Sequence, residues 1–229
     1  NDCCCLYGGT MSENIEFSLD DFPLSPTGSQ SAKEYFTSFL ETKEIFDTIP
    51  RAERGDDPEA AFHILLKEIH IARTRNPALY RRKFDANESL SAFWLSKIRN
   101  FSNLLVAVGK VPPFGGLAED ELSDIAKLSA NVEDITSVSK RLLDLGIILI
   151  YEHAIPRMKL DGAVFVLASG NPVIGMTLRY PRLDNFWFTL MHELAHITLH
   201  GELLLSPILD DLDEIPLDKI EKQADRLAV

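Results

Sequence analysis

Apolar residues recur at helical spacing along the first half of the chain, with polar residues at the positions between them. This half also contains helix start and stop signals, because Pro50 ends one apolar pattern and Pro58 stands where another begins. The pattern predicts five helices, over residues 31–49, from Pro58 onward, and over residues 88–108, 119–129 and 132–144.

After Gly146 the pattern changes to short runs that are rich in β-branched and apolar residues. These runs predict three strands, over residues 147–151, 163–167 and 173–178. A Gly-Asn pair at 170–171 separates the last two strands, so we expect them to form a hairpin.

The stretch 183–200 is apolar almost all round, which predicts a buried helix that ends at Gly201. Residues 202–216 are predicted to be a loop, and another helix is expected to begin at Leu217. Helices followed by a small sheet packed on a buried helix make an α+β fold. We expect a flexible leader over residues 1–30 and a helical N-terminal region over residues 31–112. A compact domain should follow over residues 117–229.

Composition and charge narrow the class of protein. The chain has 229 residues, of which 45% are hydrophobic and 25% are charged, as in ordinary globular proteins. No apolar run is long enough to span a membrane and no secretory signal is recognisable, so we expect a cytoplasmic protein. The net charge of −12 argues against a surface that binds a phosphate backbone.

Two clusters of like charge have plain interpretations. The basic segment 67–83 has no repeated pattern of interleaved aromatic residues and no glycine-rich loop, so it is interpreted as a solvated helix face and not as a nucleic-acid site. The acidic run that begins at Asp210 lacks the turn glycine of a calcium loop, and we interpret it as solvated. Direct binding of nucleic acid is therefore not expected.

The buried helix carries the sequence HELAH, in which His192 and His196 lie four residues apart. Residues at this spacing differ by one turn and about 40°, so both imidazoles can bind one metal ion. Glu193 lies beside that face and can act as the general base for an attacking water. The competing interpretation is a pair of hydrogen-bonded core histidines.

A catalytic zinc needs three protein ligands and one open position. Glu221 and Asp225 share one face of the last predicted helix, so Glu221 can bind the metal while Asp225 accepts the N–H of a ligand histidine. Glu214 is the competing third ligand. Pro216 makes its stretch a helix start, so Glu221 is favoured.

His200 is excluded as a ligand, because it lies roughly 12 Å from His192 along the helix axis. We interpret it as a histidine that interacts with the dipole at the helix C-terminus. Two histidines and one carboxylate favour zinc, and manganese or iron can occupy the same ligands.

The stretch FWFTLMHELAH at 186–196, with LH at 199–200 and ExxADxxA at 221–228, resembles the ImmA/IrrE family of metallopeptidases. The likeness is greatest to long HigA-like antitoxin regulators, and it covers roughly residues 87–229. Regulators of this group usually begin with a helix-turn-helix domain, but residues 31–84 contain no convincing one. The family pattern also continues beyond Val229, so we expect a metallopeptidase domain that is truncated at its C-terminal end.

The resemblance implies a gluzincin-like zinc endopeptidase that cleaves a regulatory protein, either a helix-turn-helix repressor or a partner from a toxin–antitoxin pair. It places the metal ligands at His192, His196 and Glu221 and the general base at Glu193.

A non-catalytic sensing or interaction module of a toxin–antitoxin regulator, with one bound metal ion, is the alternative function. The intact Glu193 argues against it, since a purely structural site needs no base. For the peptidase we also expect strand 173–178 to offer an edge to which an extended substrate adds as a further strand.

Overall fold

The computed structural model describes residues 32–75, 86–180, 182–205, 207–210 and 219–228. These residues form seven α-helices and one four-stranded mixed sheet, which together make the α+β fold that the sequence predicts. In chain order the elements are α1 Ala32–Thr48, α2 Pro58–Arg75, α3 Ala86–Ala107, α4 Glu119–Lys127, α5 Ile135–Asp144, β1 Ile148–Tyr151, β2 Gly162–Val166, β3 Pro172–Met176, α6 Leu183–His200, β4 Ile208–Asp210 and α7 Lys219–Ala228.

The helices begin and end where the local signals predict. Pro58 is the first residue of α2, a position where its missing N–H costs no hydrogen bond. The Asp57 carboxylate accepts the backbone N–H of Ala60 at 2.9 Å and so caps the same helix. Helix α6 has the predicted bounds and ends at Gly201, and a 3₁₀ turn over Gly201–Leu205 follows it.

The strand order is β1-β3-β2-β4, with β2 and β3 antiparallel as the predicted hairpin. Strand β3 is not at an edge of the sheet, because β1 pairs with it in parallel on the side away from β2. The expectation that an extended substrate adds to residues 173–178 is therefore wrong. A parallel partner is joined through a long connection, so no local pattern of residues indicates it.

Each face of the sheet packs against a different group of helices, because side chains alternate between the two faces of a strand. Ala163 and Phe165 pack toward α3, whose Trp94 belongs to the same apolar cluster. Val164 and Ile174 pack on the opposite face, in the cluster that includes the core side of α6. The sheet is thus the middle layer, with α3 on one face and α6 on the other.

Helices α2 and α3 are joined by a buried ion pair on the first of these faces. The Arg99 Nε atom lies 2.7 Å from Glu68 Oε2. The Arg99 guanidinium also stacks 4.1 Å from the centre of the Phe165 ring in β2. One arginine therefore connects the N-terminal helices to the sheet.

The segment after α6 differs from the prediction. Residues 202–216 are predicted to be a loop, but Ile208–Asp210 forms β4, which pairs antiparallel with β2. A strand of three residues is too short to show an alternating pattern, which explains the error. Glu214 and the rest of the acidic run at 211–218 lie outside the described residues, as do the leader and the end of the basic segment. The described helices include none that is long and apolar enough to cross a bilayer.

Candidate metal centre

Helix α6 brings two buried histidines to one point. His192 and His196 are one helical turn apart, and their Nε2 atoms are separated by 3.1 Å. Both side chains are almost completely buried, because α6 is covered by the sheet and by its neighbouring helices. The structure thus places the two imidazoles on one face, as the four-residue spacing predicts.

Helix α7 adds the two carboxylates that the sequence indicates. Glu221 Oε2 lies 3.2 Å from His192 Nε2 and 3.4 Å from His196 Nε2. On the far side of the first ring, Asp225 Oδ1 lies 3.0 Å from His192 Nδ1. Since a carboxylate oxygen accepts hydrogen bonds, Nδ1 carries a proton, and in the neutral ring the Nε2 lone pair faces Glu221.

Asp210 is a member of this group that the sequence does not predict, because the acidic run that begins there has the pattern of a solvated segment. Its side chain is only 5% exposed, and its Oδ2 atom lies 3.6 Å from His192 Nε2 and 3.8 Å from His196 Nε2. Asp210 pairs across β4 and β2 with Gly162, so its side chain shares the sheet face that α6 covers. The only signal in the sequence is the apolar pair that precedes it, Ile208 and Leu209.

Four side chains therefore converge in the described part of the chain. One potential ligand atom each from His192, His196, Asp210 and Glu221 lies within 4.8 Å of the other three. Two imidazoles with carboxylates are a donor set that suits zinc and related transition metals. No N–H or O–H group of the described residues donates to Asp210 Oδ2, which is buried and faces the two histidines. An ion between these side chains would satisfy that oxygen, so the residues fit a metal.

Glu193 points from α6 toward the sheet and is completely buried. Its carboxylate fills the space that the missing side chain of Gly162 leaves, because a Cβ atom built there would lie 1.8 Å from Glu193 Oε1. Gly162 is the residue opposite Asp210 in the sheet. The carboxylate of Glu193 therefore lies beside the four-residue group without belonging to it.

The carboxyl groups of the site outnumber the two histidines that could balance their charge. Burial, followed by the nearby Asp210 carboxylate, holds the pKa of Glu193 well above its usual range. Burial and the Glu221 carboxylate raise the pKa of Asp210 to about 8, although His192 lowers it. Carboxyl groups that ionise with difficulty in a buried site are stabilised by a cation.

The pKa values of Glu221 and His192 depend on the contact between these two side chains. Burial raises the pKa of Glu221, but hydrogen bonds with His192 and His196 outweigh burial and leave it well below its usual range. Burial lowers the pKa of His192, but Glu221 and the nearby aspartates outweigh it, so the net shift is upward. Both shifts reflect one interaction, between the His192 ring and the Glu221 carboxylate.

His200 has two side-chain contacts that the sequence does not predict. It is 8% exposed, and its Nδ1 atom lies 3.1 Å from His196 Nδ1. Its Nε2 atom lies 3.2 Å from Gln223 Oε1 in α7. His200 is therefore the last residue of α6, as predicted, and is also held by two side-chain contacts. Its exclusion as a ligand agrees with the four-residue group, of which it is not a member.

Comparison with known proteins finds a similarity for the part of the chain that contains this site. Residues 147–229 match the family model described as the IrrE N-terminal-like domain, Peptidase_M78. The comparisons find no curated protein and no solved structure that matches the chain. The matched segment runs from the start of the sheet through α7, so it includes all four residues of the candidate metal centre and Glu193. Residues 147–229 are therefore similar to the IrrE N-terminal-like domain of the peptidase M78 family.

Proposed function

We propose that this protein is a zinc-dependent endopeptidase that hydrolyses a peptide bond in a regulatory protein of the repressor or antitoxin type. The observation that carries the proposal is the buried carboxylate of Glu193 beside the His192, His196, Asp210 and Glu221 group. The match to a peptidase family supports the same chemistry. The substrate class follows from the resemblance to ImmA/IrrE regulators.

His192, His196 and Glu221 would hold the metal, with Asp210 as a fourth donor within reach. When bound, the metal would polarise the scissile carbonyl and make an attacking water more acidic. Two imidazoles with carboxylates favour zinc, and manganese or iron can bind the same donors. Asp225 would keep the ring of His192 in the tautomer whose Nε2 lone pair faces the site.

Glu193 would move the protons. Its carboxylate would take one from the attacking water and pass it to the amine that leaves. Burial favours this role, because a carboxyl group with a raised pKa can hold the proton between the two transfers. Gly162 supports it by leaving the space in which the carboxylate lies.

One observation favours the second candidate, a non-catalytic metal-binding module that senses a signal or binds a partner. Asp210 is a fourth protein donor, and four protein ligands are typical of closed structural sites. Glu193 argues for the peptidase, since a structural site gains nothing from a fully buried carboxylate beside its ligands.

A proteome-derived peptide library distinguishes the two functions. The full chain, loaded with one equivalent of zinc, is incubated with tryptic peptides from a bacterial lysate, and new termini are identified by mass spectrometry. The Glu193→Gln variant is the matched control, because it keeps the size of the side chain and leaves the metal ligands intact. We expect a set of new termini with the wild type that falls by at least about 10²-fold with the variant.

Two controls make the result decisive. His196→Ala should lose both zinc and cleavage, whereas Glu193→Gln should lose cleavage at unchanged zinc content. Peptide patterns that are the same for the wild type and Glu193→Gln, at equal zinc content, would contradict the peptidase and favour the binding module.

A further inference from the structure

Three histidines form a row along α6, and only two of them belong to the candidate metal centre. His192, His196 and His200 follow at intervals of four residues on one face of the helix. The rings of His196 and His200 are 5.1 Å apart between centroids, and their Nδ1 atoms are 3.1 Å apart. The third histidine therefore contacts the second on the side away from the metal ligands.

The partner of His200 determines where the protons lie. Its Nε2 atom faces Gln223 Oε1 at 3.2 Å, and a carbonyl oxygen can only accept a hydrogen bond. His200 therefore donates through Nε2, and in the neutral ring its Nδ1 atom is left as an acceptor. His196 must then donate through its own Nδ1. This leaves the lone pair of His196 Nε2 directed at Glu221 and Asp210.

The reverse assignment is incompatible with metal binding. If the Gln223 amide were turned so that its NH₂ group faced His200, each proton in the chain would move to the opposite nitrogen. His196 would then present an N–H group to the other ligands and would have no lone pair to offer. Only the first arrangement allows His196 to bind a metal through Nε2.

His192 is held in an equivalent way, because its Nδ1 atom donates to Asp225 at 3.0 Å. Helix α7 thus contacts the Nδ1 side of both histidines. It reaches His192 through the Asp225 carboxylate, and it reaches His196 through Gln223 and His200. We propose that His200 and Gln223 are positioning residues that fix the tautomer and ring orientation of His196. This inference rests on the metal centre of the proposed function.

The first test measures zinc affinity in the full chain by competition with a chromophoric chelator. His200→Leu fills the same buried space but cannot accept a hydrogen bond, whereas the Oδ1 atom of an asparagine lies near the position of the histidine Nδ1. We expect His200→Leu to weaken zinc binding by about 10- to 100-fold, and His200→Asn to recover most of that loss. Equal affinities for the wild type and His200→Leu would overturn the inference.

A packing control separates positioning from a general loss of stability. Ile197 lies next to His196 in sequence, but its side chain is buried in the apolar cluster on the core side of α6. Ile197→Val removes one buried methyl group and should lower the melting temperature while zinc affinity stays within twofold of the wild type. A His200→Asn variant that is as weak as His200→Leu would show that shape alone matters, and it too would overturn the inference.

The second test reads the tautomer without metal. Long-range ¹H–¹⁵N correlation spectra of the metal-free wild type should show His196 protonated at Nδ1, and His200→Leu should shift the ring toward a mixture of tautomers. A wild-type His196 protonated at Nε2 would overturn the inference. This readout remains valid if the wild type binds no zinc, a result that would contradict the proposed function instead.

Discussion

Gly162 is the position where the smallest substitution should stop catalysis. Alanine fits its backbone, because Gly162 is not among the glycines with positive φ. The effect of Gly162→Ala is therefore steric. The added Cβ would lie 1.8 Å from Glu193 Oε1 and 2.8 Å from its Cδ atom.

The size of the effect follows from these distances. Ordinary contact begins at 3.4 Å, so the carboxylate must move by about 1.6 Å. Misplacing a reacting group by about 1 Å can cost about 10² in rate. We therefore expect kcat/KM for Gly162→Ala to fall by at least about 100-fold, which corresponds to about 2.7 kcal/mol of lost transition-state stabilisation. Zinc content should not change, because Gly162 supplies no ligand atom.

Gly175 offers a matched control on the opposite face of the sheet. A Cβ atom there would lie 2.5 Å from Ile98 Cδ1 and 2.7 Å from Trp94 Cη2, away from the metal centre. Both substitutions overpack a core and should each destabilise the chain by about 1–3 kcal/mol. Only Gly162→Ala should also lower the cleavage rate per molecule of folded protein.

The assay uses a synthetic peptide that contains the strongest cleavage site from the library. Rates are compared at equal concentrations of folded, zinc-loaded protein, with urea unfolding as the measure of stability. A Gly162→Ala variant that cleaves within threefold of the wild type would refute the reasoning. So would a Gly175→Ala variant that loses as much activity.

Three further changes test other parts of the structure. Asp210→Asn should weaken zinc binding by at least about tenfold and raise the melting temperature of the metal-free chain, because it removes a buried carboxyl group whose pKa is raised to about 8 and whose protonation therefore costs stability at neutral pH; calorimetry that shows neither change would contradict the role of Asp210. Removal of zinc with a chelator should lower the free energy of unfolding by about 2.7 kcal/mol relative to protein in free zinc at 100 times the Kd. An unchanged unfolding midpoint would contradict a zinc site that exists only in the folded chain. Glu68→Gln should cost about 3–5 kcal/mol by leaving Arg99 as an uncompensated buried charge, with zinc content unchanged; a urea midpoint equal to that of the wild type would contradict it.

The site residues that lie in pairs on one helix could be predicted from the sequence, because the two residues of each pair are one helical turn apart. The four-residue spacing of His192 and His196 determines their common face whatever surrounds the helix. The same spacing relates Glu221 to Asp225, and the structure brings both carboxylates to His192. Apolar residues all round α6 predict the burial of the helix and of its two histidines.

The parts that depend on pairing between distant segments could not be predicted. Asp210 is buried because β4 pairs with β2, and three residues are too few to indicate a strand. The interior position of β3 depends on its parallel contact with β1, which lies on the other side of a long connection. His200 has the spacing of a ligand row, but its contact with Gln223 depends on how α7 packs on α6.

Native mass spectrometry of the purified full chain tests the central claim most directly, because it gives the number and the mass of bound ions per molecule. After reconstitution with zinc, we expect one ion in the wild type and in Glu193→Gln. His196→Ala and Glu221→Ala should bind none under the same conditions. A wild-type chain that takes up no metal, or a single ion that both ligand variants retain, would contradict a metal centre built by these residues.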